Sequence, residues 1–469
     1  MSAAQLDYEA MSQLQEAARA EDLGLLLGAG ASAAAGLPDW NTLALDLLTH
    51  SGAIDDRDTA QALLAGQDPA LLAEAARAAT DDWPELVRSV LYGIEGEPEP
   101  AVLHLAAAAL AMQRDRTVRL LTMNFDQLLE KALRQALEEV GQERTVVSRA
   151  AGARQAKKDD LEVHHLHGLV GPVQGESQNV VLTLSDFTEL ATQTHPWQVS
   201  ALREVLERGP LLMAGTSYRD QDLRQWLHKI TQDTELPGKP TVFIARQGLD
   251  LDAQQFARVQ GALVEQWSAI GVDAVLTHDH SDAAQALREL PYLTDPGYRA
   301  PAVRAKELLD SQYENFATLQ SAHAEQLQTD LEQLRPHLGN EANLTLWLAN
   351  GQGELVRWAV HDRVQRRPGE LRHIPGGYDS PWIVGQALGR DDVMARELTQ
   401  RSTTGRWRSI VAAPVTVKRP GGPVFTAAAL SSATPDPLES HDLDAWRSAL
   451  VEIVAHWGDR LSTIAENTP

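Results

Sequence analysis

The stretch LLLGAGASAAAGLPDW, residues 25–40, is an apolar strand that runs into a glycine turn, a helix start built of small residues, and a proline. Gly28 and Gly30 allow the backbone to approach a ligand without a Cβ in the way. The hydroxyl of Ser32 and the N–H groups of the next helical turn suit phosphate oxygens. The stretch therefore predicts a dinucleotide site, but any tight strand-to-helix turn favours glycine, so its specificity depends on motifs further along the chain.

Three later segments have the same form, an apolar strand that ends in a polar or glycine-containing turn. They are LLTMNFD at 120–126, VHHLHG at 163–168 and LLMAGTS at 211–217. The carboxyl ends of strands line the ligand crevice of an open parallel sheet. We therefore expect the four strand ends to converge on one cleft.

The alternation of strand and helix patterns predicts the fold class. Apolar runs at 180–184, 241–245 and 273–277 alternate with helical patterns at 219–230, 252–268 and 281–290. Such alternation is typical of an α/β, Rossmann-like, doubly wound parallel sheet. An Ala- and Leu-rich stretch predicts a helical insertion at about 50–115, and a proline-rich segment ends this N-terminal domain, residues 1–295.

Taken in order, the four motifs resemble the sirtuin family: GAGxS with a Gly-x-Pro-Asp tail, Thr-x-Asn-x-Asp, His-Gly and Gly-Thr-Ser. The resemblance covers roughly residues 5–295 and implies that the domain binds NAD. Two aspartates, Asp39 and Asp126, match positions that lie at the nicotinamide in that family. The other matched cofactor positions are Gly28, Ala29, Gly30, Ser32, Thr122, Gly215, Thr216 and Ser217.

The chain also departs from the sirtuin deacylases. It contains no cysteine, so it cannot form the four-cysteine zinc ribbon of those enzymes, and Asn41 replaces the arginine of their Pro-Asp-Phe-Arg motif. The remaining pattern resembles the zinc-free bacterial branch of the family, whose members deplete NAD in anti-phage defence. That branch often carries the Ser-x-x-Asp-x-Asp-Leu-Arg arrangement present from Ser217 to Arg224. The resemblance implies NAD as a substrate and no zinc.

Two residues are the candidate catalytic groups. The amide of Asn124 can hold ribose hydroxyls or orient a water, and His167 can accept a proton near neutral pH. Each has a structural alternative, since Asn124 could cap the helix that begins near Asp126 and His167 could be a buried structural histidine. Neither His164 nor His165 is assigned a function.

The composition bears on compartment and partners. The formal net charge of −24 disfavours nucleic-acid binding, which usually needs clustered Lys and Arg. No apolar run is long enough to span a bilayer, and the N-terminus lacks the pattern of a signal peptide. We expect a cytoplasmic protein.

The C-terminal part has a different pattern. Residues 303–335 predict one long linker helix, either packed on its own domain or dimerising. Residues 336–469 contain two strands, an embedded helix and two further strands, with Gly385-Gln-Ala-Leu and Ala412-Ala-Pro-Val as markers. This α+β pattern resembles a GAF domain, which implies a regulatory module with an unidentified trigger, either a partner protein, a nucleotide or a phage component. We also expect a homo-oligomer.

These observations predict an NAD hydrolase that cleaves the nicotinamide–ribose bond and is controlled by its C-terminal domain. ADP-ribosyl transfer and zinc-free deacylation remain alternatives that need a second substrate. A sensor that binds NAD or ADP-ribose without turnover is the alternative outside enzymes.

Overall fold

A computed structural model describes residues 11–93, 96–113, 115–151, 160–216, 220–249, 251–398, 406–418 and 422–466. The chain divides into two compact units, Glu16–Leu276 and Thr277–Pro469 together with Met1–Gln15. We call them the N-terminal unit and the C-terminal unit. Among the described residues, no helix combines the length and the apolar character needed to cross a membrane.

The N-terminal unit is built on a seven-stranded sheet. Its strands are β1 Asp22–Leu27, β2 Thr117–Thr122, β3 Val146–Arg149, β4 Leu161–His165, β5 Leu211–Ala214, β6 Thr241–Ala245 and β7 Asp273–Thr277. Their order is β3-β4-β2-β1-β5-β6-β7, and the pairings from β3 to β6 are parallel. The chain builds outward on one side of β1 and then on the other, so the topological switch point lies between β1 and β5. The predicted doubly wound parallel sheet is confirmed.

The central strands are largely apolar, as is usual for a parallel sheet whose two faces are covered by helices. Every residue of β5 and β6 is buried, as are the last five residues of β1. The strands that meet at the switch point therefore form a rigid base for the turns at their carboxyl ends.

The described helices of this unit lie before β1 and between the strands, six of them between β1 and β2. They are α1 Gln15–Arg19, α2 Ala29–Ala33, α3 Trp40–His50, α4 Arg57–Leu64, α5 Pro69–Ala78, α6 Trp83–Tyr92, α7 Val102–Ala111, α8 Leu128–Glu139, α9 Leu184–Thr192, α10 Trp197–Arg208, α11 Gln221–Asp233 and α12 Ala253–Ser268. Aspartate side chains accept backbone N–H groups at the start of four consecutive helices, α3 to α6. Helices α4 to α7 occupy the range predicted as a helical insertion.

The C-terminal unit contains a six-stranded antiparallel sheet. Its strands are β8 Asn343–Ala349, β9 Glu354–Val360, β10 His373–Pro375, β11 Met394–Glu397, β12 Ser409–Val417 and β13 Phe425–Thr434. They are ordered β10-β9-β8-β13-β12-β11. The helices are α13 His280–Glu289, α14 Pro301–Glu314, α15 Phe316–Leu338, α16 Ile383–Arg390 and α17 Leu443–Glu466. One apolar core joins this sheet to α14, α15, α16 and α17.

The predicted single helix over 303–335 is corrected by the structure. Two helices, α14 and α15, meet at Asn315, which leaves helical geometry at φ −114° and ψ 31°. The polar residues that interrupt the apolar pattern of α15 have partners inside the unit. Gln320 donates to the Trp358 carbonyl at 2.5 Å, and His323 Nδ1 accepts from the Trp358 indole at 2.8 Å. These contacts favour the packed alternative over the dimerising one.

Helix α13 belongs to the C-terminal unit, although the proline-rich segment after it indicates a boundary at residue 295. Its Ser281 hydroxyl donates to the Gly389 carbonyl at 2.9 Å, and Arg288 pairs with Asp391 at 2.9 Å. The division of the chain at Leu276 and Thr277 therefore precedes the composition change. Proline and glycine mark a turn there, and side-chain contacts decide which unit a helix joins.

Candidate functional site

The turns after β1 and β5 are packed backbone against backbone at the switch point. Gly28 is extended, and a Cβ on it would lie 2.5 Å from the Thr216 Cα. Its N–H donates to the Ala214 carbonyl at 3.0 Å. The sequence indicates that the missing Cβ of Gly28 makes room for a ligand. In the structure it makes room for the backbone of the turn after β5.

Gly215, in the turn after β5, also has no room for a side chain. It adopts φ +68°, which favours glycine, and a Cβ on it would lie 2.7 Å from the Ala31 nitrogen. Its carbonyl accepts the Gly30 N–H at 2.8 Å. The two glycine turns thus hold Ser32 in the short helix α2 at a defined distance from β2.

Asn124, just after β2, is held by three hydrogen bonds that its own N–H groups donate. Its Nδ2 donates to the Gly28 carbonyl at 3.0 Å and to Ser32 Oγ at 2.7 Å, and its backbone N–H donates to Thr122 Oγ1 at 3.0 Å. Its Oδ1 is buried and has no hydrogen-bond partner among the described residues. The amide is therefore oriented with one acceptor left for a ligand.

The helix-capping alternative for Asn124 does not fit this geometry. Asp126 Oδ1 accepts the Leu128 N–H at 3.0 Å at the start of α8, while Asp126 Oδ2 accepts from the Ser32 hydroxyl at 2.7 Å. Asp126 therefore serves the helix end, which leaves the Asn124 side chain for the cavity.

His167 lies two residues after the end of β4, and its ring contacts two aromatic side chains. The ring makes edge contacts with Phe187 at 5.5 Å and Trp226 at 6.0 Å between centroids. His167 Nε2 lies 3.8 Å from Asp222 Oδ2, and both atoms are buried without a hydrogen-bond partner among the described residues. This separation is longer than a direct hydrogen bond.

A second carboxylate lies beside this pair. Asp220 begins α11 by accepting the Leu223 N–H at 2.9 Å. Burial raises the pKa of Asp220, and the nearby His167 opposes that rise. Acidic groups therefore flank His167 on the α11 side.

These side chains surround one cavity of about 310 Å³. Its polar lining comprises Ser32, Asp68, Asn124, Asp126, His167, Asp220, Gln221 and Asp222. Its apolar lining includes Leu37, Trp40, Leu43, Leu91, Met123, Phe125, Leu184 and Phe187. An apolar pocket with a few convergent polar groups is the usual form of a small-molecule site.

The predicted site residues fall into four groups. Ala29, Ser32, Asn124, Asp126 and His167 line the cavity. Gly28, Gly30, Thr122, Gly215 and Thr216 lie behind that lining in the turns, where Thr216 Oγ1 is buried without a partner among the described atoms. Asp39 is exposed, caps α3 through the Thr42 N–H at 2.8 Å, and does not line the cavity. Ser217 lies outside the described residues.

Sequence reasoning did not assign Asp220 and Asp222 to the site. Their signal was the Asp-x-Asp-Leu-Arg run after β5, which was matched to a family branch and not to a function. Among the residues that the structure describes, no group of three or more His, Asp or Glu side chains is arranged to hold a metal ion.

Comparisons with known proteins found one family model and similar solved structures. A family model described as a SIR2-like domain matches residues 118–274. Among solved structures, the crystal structure of a Sir2 homolog–NAD complex aligns with a TM-score of 0.34 and 17% sequence identity, over 61% of this chain and 94% of that chain. No curated protein matches the chain. The SIR2-like match covers the strand ends that carry Asn124, His167 and Gly215.

Proposed function

We propose that the N-terminal unit binds NAD at the switch point and hydrolyses its nicotinamide–ribose bond. The observation that carries the proposal is the pair of buried atoms without partners, Asn124 Oδ1 and His167 Nε2, in one cavity of the described chain. Buried polar atoms are normally hydrogen-bonded, so atoms left open in a cavity are suited to substrate groups. In the reaction the C–N bond to nicotinamide breaks, water forms the new C–O bond, and the products are nicotinamide, ADP-ribose and a proton.

The cavity lining suits the charge that develops in this reaction. Departure of nicotinamide passes through a cation-like ribose, as in other glycoside cleavages. Carboxylates placed in a pocket with apolar walls stabilise such a cation, because fixed charges act more strongly away from bulk water. Asp126 and Asp222 supply these charges, Asn124 orients the ribose or the water, and His167 accepts a proton.

The direct experiment is to incubate the purified chain with NAD alone and to measure nicotinamide and ADP-ribose by chromatography. We expect product from the wild type, none from Asn124→Ala and severely reduced product from His167→Ala. His228→Ala, an exposed histidine on α11, is the matched control. Parental rates in both site variants would overturn the assignment.

Two outcomes would select the alternatives. NAD binding without any product in the wild type, both alone and with candidate triggers, would indicate a sensor. Product formed only when a protein or acyl-lysine acceptor is added would indicate ADP-ribosyl transfer or deacylation.

Because the chain has no cysteine, we expect activity to survive a zinc chelator.

We further propose that residues 336–469, within the C-terminal unit, form a GAF-like regulatory domain. Support comes from its antiparallel sheet, in which α16 lies in sequence between the strands β8–β10 and β11–β13. Uncontrolled NAD hydrolysis would harm the host cell, so we expect weak activity until a partner, a nucleotide or self-association favours the active state. An anti-phage role predicts that infection lowers cellular NAD in cells with the wild-type chain and not with Asn124→Ala.

A further inference from the structure

We propose that His165 is a positioning residue that aims the Asn124 amide into the cavity, and that Glu130 holds the His165 ring in place. The proposal rests on the proposed function, in which Asn124 contacts the substrate. The sequence suggested no role for His165, and it lies outside the cavity lining. The observation that carries the proposal is a chain of buried hydrogen bonds that ends on the Asn124 backbone.

Both ring nitrogens of His165 face oxygen atoms. His165 Nδ1 lies 2.9 Å from the Asn124 carbonyl, and Nε2 lies 2.7 Å from Glu130 Oε1. A carbonyl can only accept, so Nδ1 carries a proton that it donates to Asn124. Both His165 and Glu130 are 0% exposed, so water does not compete for these bonds.

The far end of the chain of bonds establishes their direction at Glu130. Gln127 donates to Ser148 Oγ at 3.0 Å, and Ser148 in turn donates to Glu130 Oε1 at 2.5 Å. Glu130 Oε1 therefore accepts from Ser148, and an ionised Glu130 can only accept from His165 Nε2 as well. With both nitrogens donating, the His165 ring is an imidazolium paired with a carboxylate.

The directions of the two pKa shifts agree with that assignment. Burial by itself would lower the pKa of His165, but the Glu130 carboxylate and the hydrogen bonds outweigh burial and raise it. Burial would likewise raise the pKa of Glu130, but the His165 charge and its hydrogen bonds lower it. A buried pair of this kind is weak evidence for stability, and its best-supported use is to select one arrangement of the groups around it.

The arrangement that the pair selects determines the position of Asn124 Oδ1, the side-chain atom that has no hydrogen-bond partner among the described residues. The Asn124 side-chain nitrogen is held by Gly28 and Ser32, and its backbone N–H by Thr122. The His165 bond to its carbonyl is a further restraint on the turn after β2. Without it, the carbonyl would be buried and unpaired, and the turn would shift to find another donor, which would move Oδ1 from its position.

Two substitutions separate the two ring nitrogens. An asparagine amide can occupy the place of Nδ1, whereas a glutamine amide reaches the place of Nε2. We expect His165→Asn to keep the bond to Asn124 and most of the wild-type kcat for nicotinamide release. We expect His165→Gln to keep the bond to Glu130 and to lose at least tenfold in kcat with a nearly unchanged KM.

The control is His164→Gln, the half-buried neighbour on the opposite face of β4, which should leave kcat unchanged. Equal losses in both His165 variants, tracking their melting temperatures, would reduce the residue to a structural role and overturn the proposal. If His165→Gln does not fold, Glu130→Asp withdraws the carboxylate by one methylene. A several-fold lower kcat in that variant supports the proposal and an unchanged kcat overturns it.

A readout without substrate keeps this test separate from the proposed function. Crystal structures of the two His165 variants should show Asn124 in its wild-type position in His165→Asn and displaced in His165→Gln. An undisplaced Asn124 in His165→Gln would overturn the positioning role whether or not the wild type cleaves NAD. If instead Asn124 moves as expected and the wild type releases no nicotinamide, only the proposed function fails.

Discussion

At the scale of single residues, Ser32 links the side chains of Asn124 and Asp126, which both line the cavity. Its hydroxyl accepts from Asn124 Nδ2 at 2.7 Å and donates to Asp126 Oδ2 at 2.7 Å. A serine can do both because its oxygen is donor and acceptor at once. The orientation of the Asn124 amide, with Oδ1 toward the cavity, depends on this hydroxyl.

We therefore expect Ser32→Ala to lower kcat for nicotinamide release by about tenfold, the equivalent of one hydrogen bond of about 1.4 kcal/mol. Steady-state kinetics measure the change. Ser200→Ala, on the exposed side of α10, is the control and should keep the wild-type rate. A Ser32→Ala enzyme as fast as the wild type would show that Gly28 alone orients the amide.

At the scale of elements, the contact between the turns after β1 and β5 leaves no room for a side chain. In Gly28→Ala the new Cβ meets backbone, which cannot move as a side-chain tip can. We expect a loss of about 1–3 kcal/mol in the free energy of unfolding, as for overpacked cores. Gly261→Ala in α12, where nothing lies within 4 Å, should instead be neutral or stabilising by up to about 1 kcal/mol. Thermal and urea unfolding compare the two; equal effects would contradict the close contact.

Helix α15 provides a pH-dependent prediction through His323. Burial, with a smaller effect of Arg460, lowers the pKa of His323 to about 4, and its Nδ1 accepts from the Trp358 indole. An unfolded histidine binds a proton below about pH 6.5, whereas the folded one does so only near pH 4. Acidification through this window therefore destabilises the folded unit, by up to about 3 kcal/mol at its lower end.

His323→Asn tests this, because asparagine keeps an acceptor near the indole and does not titrate. Between pH 6.5 and pH 4 the free energy of unfolding should fall less steeply in the variant than in the wild type. Urea unfolding at several pH values measures both slopes. Parallel slopes would mean that His323 is already protonated in the folded chain.

At the scale of the whole molecule, the position of α13 decides where the chain can be divided. A chain that ends at Pro301 keeps α13 and loses Gly389, Asp391 and the rest of its partners. The apolar residues that this helix buries, such as Ala284 and Leu287, would then be exposed to solvent and would favour aggregation. A chain that ends at Thr277 removes the helix together with its partners.

We therefore expect the chain ending at Thr277 to be more soluble and more nearly monodisperse than the one ending at Pro301. Size-exclusion chromatography with light scattering compares them. The better-behaved form is then assayed with NAD beside the full chain, with and without candidate triggers. Equal unstimulated turnover by the shortened and the full chain would contradict the regulatory hypothesis but not NAD cleavage. If the chain that ends at Pro301 is the more soluble and monodisperse one, the division at Thr277 is contradicted.

The sequence alone determined the doubly wound sheet and predicted which strand ends lie at the candidate site. Apolar runs that lead into Gly28, Asn124, His167 and Gly215 are local signals, and parallel topology brings strand ends to one edge. That reasoning correctly brought Asn124 and His167 to one cavity.

Tertiary structure decided what depends on contacts between distant parts of the chain. No periodicity in the sequence predicts that Asp222 approaches His167 or that His165 donates to the Asn124 carbonyl. Nor does it predict that Asp39 lies outside the cavity. The break between α14 and α15 is likewise not predicted by the sequence pattern, because the polar residues of α15 hydrogen-bond to residues of β9 and α17. Local propensity specifies which element forms, and only packing specifies what each polar atom meets.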